Sequence, residues 1–388
     1  MFAVFQLTRK VALSALLLFT AFVLSGCLPG PSGPSINTSK PVPVALLVPI
    51  GSEQPGDAVL ARSLENAARL AMGDLQGVQI DLRVYDTAGD AATAANVAVE
   101  AVSDGARIIL GPIYAQAANA AGNAVRSRGV NVLSFSNNAQ IAGGNVFVLG
   151  PTFANTAARL VQFAARQGRD NILIVHGNDE AGAVGRNAIA QAINGAGALQ
   201  AGSVGYELSQ QAVIASITDI RDTVESSGAN AVFMTSTTAG ALPLLTQMLP
   251  EAGVTKEMTQ FIGLTRWDIP VQTLEMPGVQ GGWFALPDPG KDMLFRERYS
   301  AQYGEPPHPI GGLAYDGIAA IGALVGSDRS DALTVAALTQ GAGFQGVGGI
   351  FRLLPSGTNE RGLAVATIQD KQVVVIDPAP TSFAGAGF

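Results

Sequence analysis

The side chains able to do chemistry in this 388-residue chain are few, and their spacing speaks against catalysis. One cysteine, Cys27, and two histidines, His176 and His308, stand well apart with no acidic cluster beside them, so no metal site is expected. Neither a Gly-x-Ser-x-Gly elbow nor a Walker loop occurs. Gly341-Ala342-Gly343-Phe344-Gln345-Gly346 fits Gly-x-Gly-x-x-Gly, but it follows a helical pattern instead of a strand, so no dinucleotide is implied. No enzymatic activity and no cofactor are expected. What remains is a set of neutral polar residues after apolar runs: Tyr114 and Gln116, then Ser134, Ser136, Asn137 and Asn138, then Thr235 and Thr237. Arg266 and Trp267 stand together further on. Such groups suit a cleft for a small polar ligand, neutral or anionic, stacked by Trp267 and Tyr114 and charge-paired by Arg266. They equally suit capping of the helices that follow.

The elements that would position these residues alternate. Residues 44–48, 80–85, 107–110 and 130–134 read as strands, and helical stripes fall between them over 63–75, 91–103 and 115–128. The rhythm restarts after Gly150-Pro151, with strands over 171–175, 229–234 and 261–263. Helical patterns cover 186–193, then Ile217, Ile220 and Val224, then Leu242, Leu245 and Leu249. The expected fold class is α/β, with two doubly wound parallel-sheet lobes and a cleft between them. Ligands of such sheets meet the loops beyond the strands' carboxyl ends, here 111–117, 134–138, 176–182, 235–238 and 263–268.

The N-terminus has its own pattern. Arg9 and Lys10 precede an uncharged apolar run over 11–24, which ends in Leu24-Ser25-Gly26-Cys27. A basic start, an apolar core too short for a comfortable span and small residues at the end make a secretory signal. The tetrapeptide resembles the bacterial lipobox. That resemblance implies removal of residues 1–26, a diacylglyceryl group on the Cys27 thiol, an acylated new N-terminus and attachment to a membrane by lipid alone. Residues 27–41, rich in Pro, Gly and Ser, read as a flexible tether. Without the signal, 21 basic residues stand against 30 acidic ones, which argues against nucleic acid as a partner.

Over residues 42–377 the chain resembles the type I periplasmic solute-binding proteins of the leucine/isoleucine/valine-receptor lineage. The landmarks are Val48-Pro49-Ile50-Gly51, Tyr85-Asp86-Thr87, Ile109-Leu110-Gly111-Pro112, Ser134-Phe135-Ser136-Asn137-Asn138 and Ala314-Tyr315-Asp316, in this order. The resemblance implies two lobes joined by three crossings, near Gly150-Pro151-Thr152, Leu286-Pro287-Asp288-Pro289 and Gly346-Val347-Gly348-Gly349. Lobe one would comprise 42–151 plus 289–343, and lobe two 152–286 plus 344–377. Residues 378–388 are expected to be a disordered tail. Amino-acid-binding members hold their zwitterion by a Ser, a Thr, a Glu and a Tyr, whose positions here are Ala115, Asn138, Thr265 and Ala181. All four depart from the pattern, so a free branched-chain amino acid is not the expected ligand.

The resemblance further implies a periplasmic receptor that hands its solute to an ABC permease. A second function is carried by the same fold in the penicillin-binding-protein activators, lipoproteins that regulate a peptidoglycan synthase. The stretch Leu354-Pro355-Ser356-Gly357-Thr358-Asn359-Glu360-Arg361 is similar to their C-terminal region. Leu28, where an Asp would favour inner-membrane retention, implies anchoring to the outer membrane over the inner.

Overall fold

Residues Val42–Val48 are apolar at nearly every position, a pattern that fits a strand covered on both faces. The computed structural model, which describes residues 33–384, places them at the heart of a sheet as β1. After it come α1 (Asp57–Asp74), β2 (Ile80–Asp86), α2 (Ala91–Ser103), β3 (Ile108–Leu110), α3 (Ala115–Val125), β4 (Asn131–Ser134) and β5 (Val146–Val148). The sheet is wholly parallel, in the order β2-β1-β3-β4-β5. Alternate residues of β1 serve opposite cores: Leu46 packs with Leu64 of α1, and Leu47 with Ala98 of α2 and Ala121 of α3.

The second lobe repeats the plan with α4 (Phe153–Arg166), β6 (Asn171–Gly177), α5 (Glu180–Ala196), β7 (Leu199–Tyr206), α6 (Gln210–Ser227), β8 (Ala231–Met234), α7 (Leu242–Glu251), β9 (Gln260–Gly263) and β10 (Trp283–Leu286). The chain then returns through α8 (Pro289–Tyr303), α9 (Gly312–Val325) and the short α10 (Val335–Leu338), whose Phe295, Ile318 and Leu338 join the core of Leu46. A small antiparallel sheet follows, made of β11 (Phe344–Gly346), β12 (Gly349–Leu353) and β13 (Asn359–Arg361). Finally β14 (Ala364–Gln369) and β15 (Gln372–Asp377) close the second lobe's sheet, whose order is β15-β14-β10-β9-β8-β6-β7.

Several expectations are corrected here. The second sheet is not purely parallel: β14 runs antiparallel to β10, and β15 to β14. Helix α5 begins six residues before the expected start, because Gly182 and Gly185 hide its early face. A Cβ on Gly185 would come within 2.9 Å of the Thr235 side chain, so the helix needs glycine to lie this close to the strand ends. The third crossing is displaced. Phe344, Phe351 and Leu353 bury in the first lobe's core, so the small sheet belongs with that lobe and the chain crosses after Arg361. Part of the expected tether is docked: Ile36 is buried in the same core and its N–H donates to Ser330 O at 2.9 Å. The tail is ordered over 378–384, where Ala379 packs on the second lobe and the Phe383 ring lies 4.5 Å from the Arg352 guanidinium. Cys27, Leu28 and the signal lie outside the described residues.

Candidate functional site

Strands β6, β7, β8 and β9 all end at one edge of the second lobe, and the loops beyond them enclose a cavity of about 440 Å³. That volume suits a small solute. Each loop supplies its share for a local reason. Asp179 ends the β6 loop as the cap of α5, accepting the Gly182 N–H at 3.0 Å. Tyr206 closes β7, and Ser209 caps α6 through the Ala212 N–H at 3.2 Å. The β8 loop is Thr235-Ser236-Thr237, joined to the β9 loop where the Thr265 hydroxyl donates to Ser236 O at 3.2 Å. Phe153, Leu208, Val213 and Leu244 make the apolar walls.

The polar groups are not all satisfied. Ser236 is 4% exposed, and its Oγ has no partner at hydrogen-bonding geometry among the described residues. The Tyr206 phenol beside it is pushed up to about 12, first by burial and then by the Asp179 charge, with the Ser236 hydroxyl pulling the other way. A second cavity of about 630 Å³ adjoins the first and shares Phe153, Asp179 and Ala181 with it. Here the two lobes face each other, with Asn137, Asn138 and Gln140 on one side and Asp179, Glu180 and Gln191 on the other.

The residues singled out in the sequence divide accordingly. Thr235, Thr237, Thr265 and Ala181 line the first cavity, and Asn137 and Asn138 the second. Ser134 and Ser136 are buried turn formers. Ser134 donates to Pro112 O at 2.9 Å and accepts the Ser136 N–H, while Ser136 accepts the Asn138 N–H at 3.1 Å. Tyr114 caps α3 without a side-chain bond to it and instead donates to Asp57 Oδ1 at 2.6 Å. Ala115 and Gln116 open α3, and neither lines the two cavities.

The expected pair Arg266 and Trp267 is corrected. Trp267 is fully buried in the second lobe's core and offers no face for stacking, because glycines at 263 and 282 let the indole slot between them. Arg266 is clamped by Asp268, its Nε donating at 2.8 Å, and the pair sits in a different recess with Pro287, Met293 and Val375. An arginine already paired this way does not supply the cavity with positive charge.

Asp179, Tyr206 and Ser236 were missed by the sequence reading. Strand β7 carries Gly202, Ser203 and Gly205, which dilute its apolar pattern and conceal the strand end where Tyr206 stands. The Asp-Glu pair at 179–180 was the available signal, since an acidic residue opening a helix marks its start.

No curated protein matches the chain. Solved structures do. A proposed branched-chain amino acid ABC transporter from Rhodospirillum rubrum superposes with a TM-score of 0.73 at 19% identity, over 87% of this chain and 100% of that one. A branched-chain amino acid ABC transporter periplasmic ligand-binding protein from Burkholderia xenovorans gives 0.67 at 18%, over 89% and 97%. A solute-binding protein of an ABC transporter from Rhodopseudomonas palustris, in complex with 3,4-dihydroxybenzoic acid, gives 0.57 at 18%, over 87% and 96%. These likenesses fix the fold as the two-lobed type I arrangement. Residues 41–372 match the family profile described as periplasmic binding protein. A match over that much of the chain, joined to this fold and to a cavity at the strand ends, shows that the chain belongs to the periplasmic binding protein family.

Proposed function

We propose that the protein captures a small solute between its lobes and presents the closed form to an ABC permease, without catalysis. The observation that carries this reading is the 440 Å³ cavity at the strand ends opening into a groove that both lobes line. Solute contacts made from both sides at once exist only when the lobes approach, which couples binding to shape. The structural neighbours named for ABC transport support the same reading. By the family resemblance, Ala115, Asn138, Thr265 and Ala181 take the positions of the Ser, Thr, Glu and Tyr that hold a zwitterion, and none of them keeps the expected residue, so a free branched-chain amino acid is a poor candidate.

The stretch that favoured a synthase activator is occupied within the molecule. Gly357 O accepts the Val148 N–H at 2.8 Å, and Arg361 pairs with Asp316 at 3.0 Å and bonds Leu149 O. Its residues are explained by internal packing, so we favour the receptor. We further propose that Cys27 carries the lipid and that Leu28 directs the protein to the outer membrane. Mass spectrometry of the N-terminal peptide and membrane fractionation, each repeated with Cys27→Ser, test these points.

The central test is a thermal-shift screen of the purified protein against solutes, with lobe closure followed by small-angle X-ray scattering. A solute at 100 times its Kd adds about 2.7 kcal/mol of stability. Stabilisation with a decrease in radius is expected. A screen without any stabilising solute, together with capture of a peptidoglycan synthase, would overturn the receptor reading.

A further inference from the structure

The chain enters the first lobe at a defined place. Ile36 is buried in the core of Leu46, and its N–H donates to Ser330 O at 2.9 Å. Gly33 lies between Thr334 and Gly129: a Cβ on Gly33 would come within 2.9 Å of the Thr334 Cα, and one on Gly129 within 3.6 Å of Gly33. Gly129 and Val130 lead into β4, whose first residue, Asn131, donates to Leu333 O at 2.8 Å. Residues 33–36 therefore dock at the amino-terminal edge of the first sheet. That sheet is wholly parallel, so its carboxyl ends, and the groove lined by Asn137 and Asn138, lie at the opposite edge. The seven residues of β1 separate the two edges by about 23 Å.

Little free chain precedes this dock. Residues 27–32 stand between the anchoring position and Gly33, and at full extension they reach about 22 Å at most. A tether free up to residue 41 would have reached about 50 Å. The edge that a lipid on Cys27 holds to a bilayer is thus the one farthest from the groove.

The charges of that edge suit headgroups. Lys40 precedes β1, Arg107 precedes β3, and Arg126 and Arg128 precede β4; all four are exposed and make no ion pair among the described residues. Arg126 and Arg128 bond neutral partners, Asn123 at 2.7 Å and Ser103 at 3.1 Å. Asp104 and Asp328 are exposed at the same edge, so base exceeds acid there although acid prevails in the whole chain. Cations this near an anionic leaflet are drawn to its phosphates.

We infer that the amino-terminal edge of the first lobe is a membrane-facing surface, which rests on anionic headgroups and turns the cleft away from the bilayer that holds the lipid. The inference rests on the reading of Cys27 as lipidated; attachment stays with the lipid, and the edge adds a pose.

The test uses the lipidated protein in vesicles of phosphatidylcholine alone and of phosphatidylcholine mixed with phosphatidylglycerol. With the Cys27 thiol acylated, an introduced cysteine is the sole thiol and takes a fluorophore. Ser127→Cys marks the proposed contact edge and Gln140→Cys the groove edge, both at exposed positions. In the anionic vesicles, lipid with a nitroxide headgroup is expected to quench the label at 127 about threefold or more above that at 140. Salt at about 1 M, where the screening length is about 3 Å, lowers the quenching at 127 to its value in neutral vesicles. Inserting about 15 Gly and Ser residues after Gly30 leaves every described residue intact and is expected to bring the two labels toward equality in neutral vesicles.

Equal quenching at the two sites of the parent chain overturns the inference, as does quenching at 127 that neither anionic lipid nor salt changes. A protein that floats with neither vesicle carries no lipid, which overturns the anchor reading and the pose with it. One that floats but is quenched chiefly at 140 keeps the anchor and refutes the pose alone.

Discussion

Gly282→Ala puts the reassignment of Trp267 to the test. A Cβ at 282 would lie 2.9 Å from Cε3 and 3.0 Å from Cη2 of the Trp267 indole, and closer still to Cζ3, whereas ordinary contact begins near 3.4 Å. The ring cannot swing clear. It is fully buried, and on its other side a Cβ at Gly263 would already be 2.9 Å from Cδ1. Overpacking of this kind costs about 1–3 kcal/mol, and a wall built of backbone on both sides places this case near about 3 kcal/mol. For a lobe of this size each kcal/mol moves the melting temperature by about 2–4 °C, so a fall of about 6–12 °C is expected.

Both tryptophans, Trp267 and Trp283, lie in the second lobe, so the intrinsic fluorescence melt reports on the affected core. Gly195→Ala is the control: it sits within α5, a Cβ there meets nothing within 4 Å, and alanine stabilises a helix interior by about 0.5–1 kcal/mol. The double variant Gly282→Ala, Trp267→Phe is expected to recover part of the loss, because the smaller ring leaves room for the methyl. If Gly282→Ala melts within about 1 °C of the parent, the indole is not confined as described, and a mobile Trp267 able to reach a ligand returns to consideration.

Three further outcomes follow from other parts of the molecule. Asp316→Ala strands Arg361 in a buried site where the pair is only 2% and 9% exposed, and costs about 3–5 kcal/mol by urea unfolding; a loss under about 1 kcal/mol would contradict a buried pair. Tyr114, Tyr206 and Tyr315 are each pushed up to about 12, by burial first and then by Asp57, Asp179 and Asp74 respectively. Their raised values contribute stability that is whole below the unfolded value of about 10 and is lost as pH rises through about 12. Alkaline titration followed by tyrosinate absorbance therefore shows a late-ionising set among the six tyrosines, and a single step near 10 would refute it. Phe383→Ala removes the ring over Arg352 and lowers stability by about 0.5–1 kcal/mol, whereas a tail free in solution predicts no change.

How much of this was legible depends on whether the signal is local. Helix α2 was readable to the residue, since Asp90 caps it by accepting the Thr93 N–H at 2.7 Å and alanine and valine follow at helical spacing. The buried strands of both lobes were readable from their unbroken apolar runs. What escaped were contacts that no periodic pattern in the chain announces, whether their partners are near or distant. The fate of Trp267 was decided by Gly282, and nothing in the sequence says that the two meet. Arg266 looked available because its partner, Asp268, is an adjacent acid that a linear reading takes for solvated charge. The third crossing was expected at Gly346-Val347-Gly348-Gly349, which in fact turn a hairpin between β11 and β12. Tyr206 stayed hidden for the reason that β7 did. The candidate site was thus half legible: its loops could be listed from strand ends, but its charge could not.

Where the lobes can bend follows from where the crossings are pinned. On the first lobe's side, Arg361 holds Asp316 and Leu149 O, and the Asn359 side chain donates to Val148 O at 2.7 Å and Gly150 O at 2.9 Å. On the other side, Arg159 donates to Leu363 O at 2.6 Å and pairs with Asp377 at 2.9 Å. Between these anchors lies Gly362 alone. The first crossing is likewise confined to Gly150-Pro151, because Thr152 is already locked into the capping box of α4 with Asn155. At the second, the Asp288 N–H donates to Gly348 O at 2.8 Å and its side chain caps α8, which leaves Pro287 between lobes. Asn359 joins both halves, since its own carbonyl accepts from Asn155 of α4 at 2.8 Å. A rotation that keeps all these bonds passes close to Asn359 and carries the small sheet with the first lobe. If solute binding closes the lobes by such a rotation, no hinge bond changes partner. The free energy of closure then has to come from contacts that a ligand makes to both sides of the groove at once, where Asn137, Asn138 and Gln140 stand on the first lobe and Asp179, Glu180 and Gln191 on the second.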